Sequence, residues 1–217
     1  EEVALTTLTL KPKFTALHQS IGYVFEDHAL LVQALTHRSF GATNNERLEF
    51  IGDGLVNAVV AQLLYDAYPQ LDEGSLSRLR SQLVSKDGLA RVAKRFALGS
   101  LLLLGTGERK SGGRQRSSIL SDTVEAIAGA ILTEAGFGVA SRVVAQWFID
   151  DVHQLDLDAT RDAKTQLQEW LQGRHFSLPC YEVVSITGED HSQMFEVSCV
   201  CEASKYRAVG IASSRKK

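Results

Sequence analysis

The sequence predicts an all-α domain followed by a small α+β domain of the α-β-β-β-α type that lacks its last helix. Two observations carry this. Through residue 152 the apolar residues recur at intervals of three and four, as helices require, and beyond Gly173 the period changes to the alternation of strands. Between them lies the short acidic stretch LDLDATRD, residues 155–162. The expected boundaries are therefore a helical domain over 1–152, a linker over 153–161 and a second domain over 162–217.

The helical segments follow in order. ALLVQALTHRSF, ERLEFIGDGLVNAVVAQLLYDAY, GSLSRLRSQLVSKDGLARVAKRFA, SSILSDTVEAIAGAILTEAG and VASRVVAQWFIDDVHQL each space their apolar positions helically. PQLDEG, ALGS and GTGERKSGGRQR separate them with the glycine or proline of breakers. AKTQLQEWLQGR is one more amphipathic helix, ending near Gly173. PCYEVVSITG, MFEVSCVCEA and YRAVGIASS then read as three strands, with a hairpin-like loop after the first.

Composition sets limits. The 217 residues are 44% hydrophobic and 23% charged, an ordinary globular balance. The formal net charge is -3, so no global basic field marks a nucleic-acid partner. The longest apolar run, FALGSLLLL at 96–104, is too short to span a bilayer, and no segment resembles a signal peptide. The expectation is a cytoplasmic protein with no membrane contact. Cys180, Cys199 and Cys201 show neither an even count nor C-x-x-C spacing and are read as small core residues.

Residues 44–60, NNERLEFIGDGLVNAVV, pose the chemical question. At 100° per residue Glu46, Glu49 and Asp53 fall within roughly a 60° arc that continues as Val56, Val60 and Leu64. Repulsion and desolvation oppose three carboxylates on such a stripe. A solvated helix start explains Glu46 and Glu49 equally well, since acids suit the helix dipole there. Asp53 lies two turns in, between Gly52 and Gly54, and glycines at such positions suggest close approach of another backbone or a ligand.

A second pair, Asp122 and Glu125, shares one face of the segment SSILSDTVEAIAGAIL. Ser121 and Asp122 could instead cap a helix, with Glu125 in its first turn. If the two apolar helices cross, their acids pool, and pooled carboxylates call for a hard cation such as Mg²⁺ or Mn²⁺. Such ions commonly serve phosphoryl transfer.

GTGERKSGGRQR lacks the Walker order, so its Arg109, Lys110, Arg114 and Arg116 read as loose RNA-backbone contacts or as a solvated loop. His37 reads as a structural hydrogen-bonder.

The motifs also resemble those of a known family. ERLEFIGDG at 46–54, LTHRSF at 35–40, DEGSLSRLR at 72–80, KSGG at 110–113 and ILSDTVEAIAGA at 119–130 are similar to the nuclease domain of ribonuclease III. KTQLQEWLQGR at 164–174 with GIASSRKK at 210–217 resembles a double-stranded-RNA-binding domain. The resemblance covers nearly the whole chain and implies a magnesium-dependent, double-strand-specific endoribonuclease, with Mn²⁺ a possible substitute and roles in rRNA and mRNA processing.

It also implies roles for residues. Glu49, Asp53, Asp122 and Glu125 would hold the metal, Asp53 and Glu125 would be catalytic, and Glu46 and Glu73 would be supporting acids near the cleft. Phe50 would plug a socket in a second subunit of a homodimer, although periodicity alone makes it a core residue. Thr165, Gln168 and Glu169 would meet one minor groove, His191 the next, and Arg215, Lys216 and Lys217 the phosphates between. Gly54 departs from the small polar residue usual in the family. The alternative is a double-stranded-RNA-binding protein without cleavage activity.

Overall fold

The computed structural model describes residues 14–155, 163–188, 193–201 and 206–212. The chain divides into two compact units, Glu1–Asp156 and Leu157–Lys217.

The first unit is helical. α1 is described over residues 14–21, and α2 (His28–Ala34), α3 (Glu46–Ala67), α4 (Glu73–Leu83) and α5 (Lys86–Arg95) follow. A 3₁₀ turn (Leu98–Ser100), the short α6 (Thr106–Lys110) and a second 3₁₀ turn (Gly113–Gln115) lead into the long α7 (Ser117–His153). α3 and α7 cross at the centre. Val56, Val60 and Leu64 of α3 and Ile127 and Ile131 of α7 are fully buried there, and this apolar burial is the main favourable term for the domain. Beyond Gly136, whose φ of 76° and ψ of 170° break α7, Trp147 donates to the Ile21 carbonyl at 2.8 Å and Tyr68 donates to the Val152 carbonyl at 2.6 Å. These bonds tie the second half of α7 to α1 and to the end of α3.

Four expectations change. α1 was not anticipated, although Phe14, Leu17 and Ile21 are all but fully buried. The segment read as one helix through residue 40 stops at Ala34: the Thr36 hydroxyl donates to the Val32 carbonyl at 2.7 Å, and Thr36 then bridges Leu103 in a parallel pair. The stretch 74–97 is two helices, because Ser85 caps a new one by accepting the Gly88 N–H at 3.1 Å. GTGERKSGGRQR is built, not loose. It holds α6 and a 3₁₀ turn, and Arg114 donates to the Gly99 carbonyl at 2.7 Å.

The second unit has α8 (Ala163–Gln172) and the strands β1 (Cys180–Thr187), β2 (Met194–Cys201) and β3 (Tyr206–Ala212). The sheet is antiparallel in the order β1-β2-β3, with its register interrupted between Val183 and Ser185. Leu171, Ser198 and Cys201 are buried. Val183, Ile186, Val209 and Ile211 are exposed, and among the described residues no helix follows β3. Cys201 is a core residue as expected, Cys199 is half-buried, and Cys180 is exposed, which corrects its reading as core.

α3 and α7 are each long and apolar enough to cross a bilayer by length and composition, which the longest unbroken apolar run did not reveal. Their buried faces instead meet each other, and α3 carries Glu46, Glu49, Asp53 and Asp66.

Candidate active site

The crossing of α3 and α7 has no room for side chains. A Cβ built on Gly52 would stand 1.8 Å from the Glu125 carbonyl oxygen, and one built on Gly129 would stand 2.0 Å from the Leu48 carbonyl oxygen. The close approach that glycine at position 52 foretold is therefore made by another backbone. Gly54 meets nothing within 4 Å.

This contact brings the acids together. Ligand oxygens of Glu49, Asp122 and Glu125 all lie within 4.8 Å of one another, and the three side chains are half-buried. Asp53 stands beside the trio and accepts from Asn57 Nδ2 at 2.8 Å. Glu46 sits at the rim, 3.4 Å from the Arg38 guanidinium. All five acids line one open hollow of about 860 Å³. The capping alternative for Asp122 fails, because α7 begins at Ser117 and the Ser121 hydroxyl donates back to the Ser118 carbonyl at 2.8 Å.

Electrostatics record the crowding. Burial, then the charges of Asp53, Asp122 and Glu49, push the Glu125 carboxyl up to about 8. Burial, then Asp122 and Glu46, raise Glu49, with Arg38 opposing. Burial raises Asp122 against the Ser121 hydrogen bond and the charges of Lys86, His37 and Arg38. A cluster made of carboxylate oxygens that repel one another in a partly dry place fits a hard divalent cation.

Other expectations land elsewhere. Glu73 is not among the residues lining this hollow. It begins α4, accepts from the Ser77 hydroxyl at 2.8 Å and lines a different hollow with Tyr65 and Leu76, so within one chain it does not join the other acids. Phe50 is 80% exposed, which removes its reading as a core residue. Thr165, Gln168 and Glu169 fall on α8, and Gln168 is half-buried. The side chains of Thr165 and Glu169, and the whole of His191, Arg215, Lys216 and Lys217, lie outside the described residues.

Sequence reasoning missed part of the wall. Asn45, Arg38 and Glu108 line the hollow, together with His37 and Arg116, and Arg116 pairs with Glu108 at 2.6 Å. No spacing rule flags such residues, because the chain turns several times between α2 and α7.

Residues 27–152 match the family model described as Ribonuclease-III-like, and residues 163–217 match the double-stranded RNA binding motif. The chain belongs to the ribonuclease III family. Membership makes it an endoribonuclease of double-stranded RNA that uses a divalent metal. It is 47% identical to Ribonuclease 3 of Hahella chejuensis, over 94% of this chain and 91% of that one. It is 50% identical to Ribonuclease 3 of Thiobacillus denitrificans, over 92% and 89%. Its fold is similar to the nuclease domain of ribonuclease III from Campylobacter jejuni, with a TM-score of 0.62 and 42% identity, covering 65% of this chain and 97% of that domain. A second structure of the Campylobacter domain, with a TM-score of 0.61, 42% identity and coverage of 64% and 98%, concerns flexibility in its region involved in dimer formation.

Proposed function

We propose that Glu49, Asp122 and Glu125, with Asp53 beside them, hold Mg²⁺ and that this is where the duplex is cut. The observation that carries the reading is the convergence of three half-buried carboxylates within 4.8 Å, forced by the contact of α3 with α7. When bound there, the ion supplies an activated water and charge stabilisation for the departing oxygen. Asp122 and Glu125 descend from one helix and Glu49 and Asp53 from another. Asp53, the more exposed acid, adds its negative charge beside Glu125. Glu46 and Arg38 form the rim, where the pair tempers the field met by an incoming phosphate. Mn²⁺ has the same preference for oxygen and would substitute.

The second unit would grip the duplex by shape and phosphate contacts rather than by sequence. Thr165, Gln168 and Glu169, His191, and Arg215 to Lys217 are the proposed contacts. Two chains would assemble through the exposed Phe50, in keeping with the dimer-forming region of the Campylobacter domain. Glu73 would then act only if a second subunit brings it near the acids. The setting is the cytoplasm, and structured rRNA and mRNA precursors are the substrates.

The test is cleavage of a long RNA duplex after chelation, then with Mg²⁺ restored. Cutting should stop and return while binding persists in both states. Binding without cutting in any divalent metal would leave only the alternative, a protein that covers RNA.

A further inference from the structure

The hollow presents a difficulty for its own substrate. Six carboxylates line it, Glu108 among them, and an RNA phosphate must come close to them. The two guanidiniums on its wall are engaged: Arg38 with Glu46, and Arg116 with Glu108 and the Ser111 hydroxyl. Two other side chains of the wall are not fully used.

Asn45 is the first. It occupies the N-cap position of α3, yet its side chain makes no capping bond, and its backbone is αR where a capping residue is normally extended. It is only 2% exposed, and its Nδ2 is buried without a hydrogen-bond partner. Buried amide donors are nearly always paired, so an unpaired one marks a position where a partner arrives.

His37 is the second. Asn45 N–H donates to the Thr36 carbonyl at 2.9 Å, which sets the next residue, His37, beside it. His37 Nδ1 accepts the Ser39 N–H at 3.2 Å and lies 2.8 Å from the Ser39 hydroxyl, which itself accepts the Gly105 N–H at 3.0 Å. A backbone N–H can only donate, so Nδ1 carries no proton and the ring N–H is on Nε2. Nε2 lies on the side of the ring turned away from Ser39.

The geometry points to Asn45 and His37 as a donor pair that seats a phosphate oxygen of the RNA duplex against the acidic cluster. Hydrogen-bond donors of this kind suit the place for a physical reason. A further fixed cation would pair with the carboxylates and weaken their hold on the divalent ion, whereas an amide N–H and an imidazole N–H donate to the phosphate directly. The pair makes these residues substrate contacts of the same site, and the inference rests on the hollow being where cleavage occurs.

The experiment uses the full chain with a long RNA duplex and Mg²⁺, reading KM, kcat and Tm for Asn45→Ala, His37→Asn, His37→Gln and Glu125→Gln. Asn45→Ala removes an unpaired donor, so Tm should hold or rise while KM rises about tenfold, the effect of one hydrogen bond to a charged group. His37→Asn keeps an acceptor for the Ser39 N–H but loses the distal donor, and KM should rise similarly. His37→Gln restores a donor at the reach of Nε2 and should recover part of the loss. An Asn45→Ala protein with lowered Tm and unchanged KM would make Asn45 a structural residue and overturn the pair. So would equal KM values for His37→Asn and His37→Gln. If Glu125→Gln is inactive while Asn45→Ala and His37→Asn keep the wild-type KM, this inference alone fails. If Glu125→Gln cuts normally, the hollow is not the site and the earlier reading fails with it.

Discussion

Gly52 lies so close to Glu125 that a methyl group on it would overlap the Glu125 carbonyl oxygen, at 1.8 Å. The residue that lets the helices touch is thus in contact with the backbone of the acid on which the cluster centres. Fold and site share one contact, and disturbing it acts on both.

Gly52→Ala should separate α3 from α7 and cost about 1–3 kcal/mol or more, as overpacking of a close crossing does. Because the acids ride on these helices, cleavage should fall further than the loss of folded protein explains. Urea unfolding together with cleavage per folded molecule checks this. Gly54→Ala is the control, since nothing lies within 4 Å, and removing a helical glycine there should stabilise by up to about 1 kcal/mol.

Stability of the metal-free protein should fall as pH rises. The Glu125 carboxyl is held from the ordinary 4.5 up to about 8 by burial and by Asp53, Asp122 and Glu49. Between those values the folded chain keeps a proton that the unfolded chain releases, so stability present at low pH is lost as pH climbs through the folded value. Thermal unfolding with a chelator should show a lower Tm near pH 8 than near pH 5. Glu125→Gln should flatten the slope, and added Mg²⁺ should raise Tm more at the higher pH.

Much of this arrangement was legible in the sequence. The arc of Glu46, Glu49 and Asp53, the pair Asp122 and Glu125, and Gly52 and Gly54 beside Asp53 already raised the crossing of two helices with pooled acids as one reading. Helical spacing also placed α3, and alternation placed all three strands. What spacing cannot carry is three-dimensional: that Gly129 answers Gly52, that Glu73 lines a different hollow, or that Asn45 keeps a donor unpaired. Local competition explains other misses. The Thr36 hydroxyl ends a helix whose apolar pattern runs on, and Ser85 starts a new one inside a continuous pattern. α1 was missed although Phe14, Leu17 and Ile21 have helical spacing.

Phe50→Ala should weaken the proposed dimer by about 2 kcal/mol, the scale for truncating a central aromatic anchor. An 80% exposed phenylalanine has little to lose within its own chain, so the monomer should stay folded. Sedimentation over a concentration series, with circular dichroism on the same samples, separates the two effects. A wild-type chain that is monomeric at micromolar concentration would remove the dimer.

RNA binding should weaken steeply with salt and vary little with base sequence. Phosphate contacts release counterions, and A-form duplexes are read by shape. Binding isotherms for two unrelated duplexes across a salt series check this, and a flat response would count against the proposed basic contacts.

The most direct measurement is cleavage and gel-shift binding of one duplex by wild type and Glu125→Gln, side by side in Mg²⁺. The substitution keeps size and hydrogen bonding and removes one negative charge from the cluster. It deletes no basic group and eases repulsion toward phosphate, so binding should survive or tighten. Cleavage should fall by a factor on the order of 10²–10³ or more, as loss of a preorganised electrostatic group does. Cleavage near the wild-type rate would contradict the placement of the chemistry at Glu49, Asp122 and Glu125.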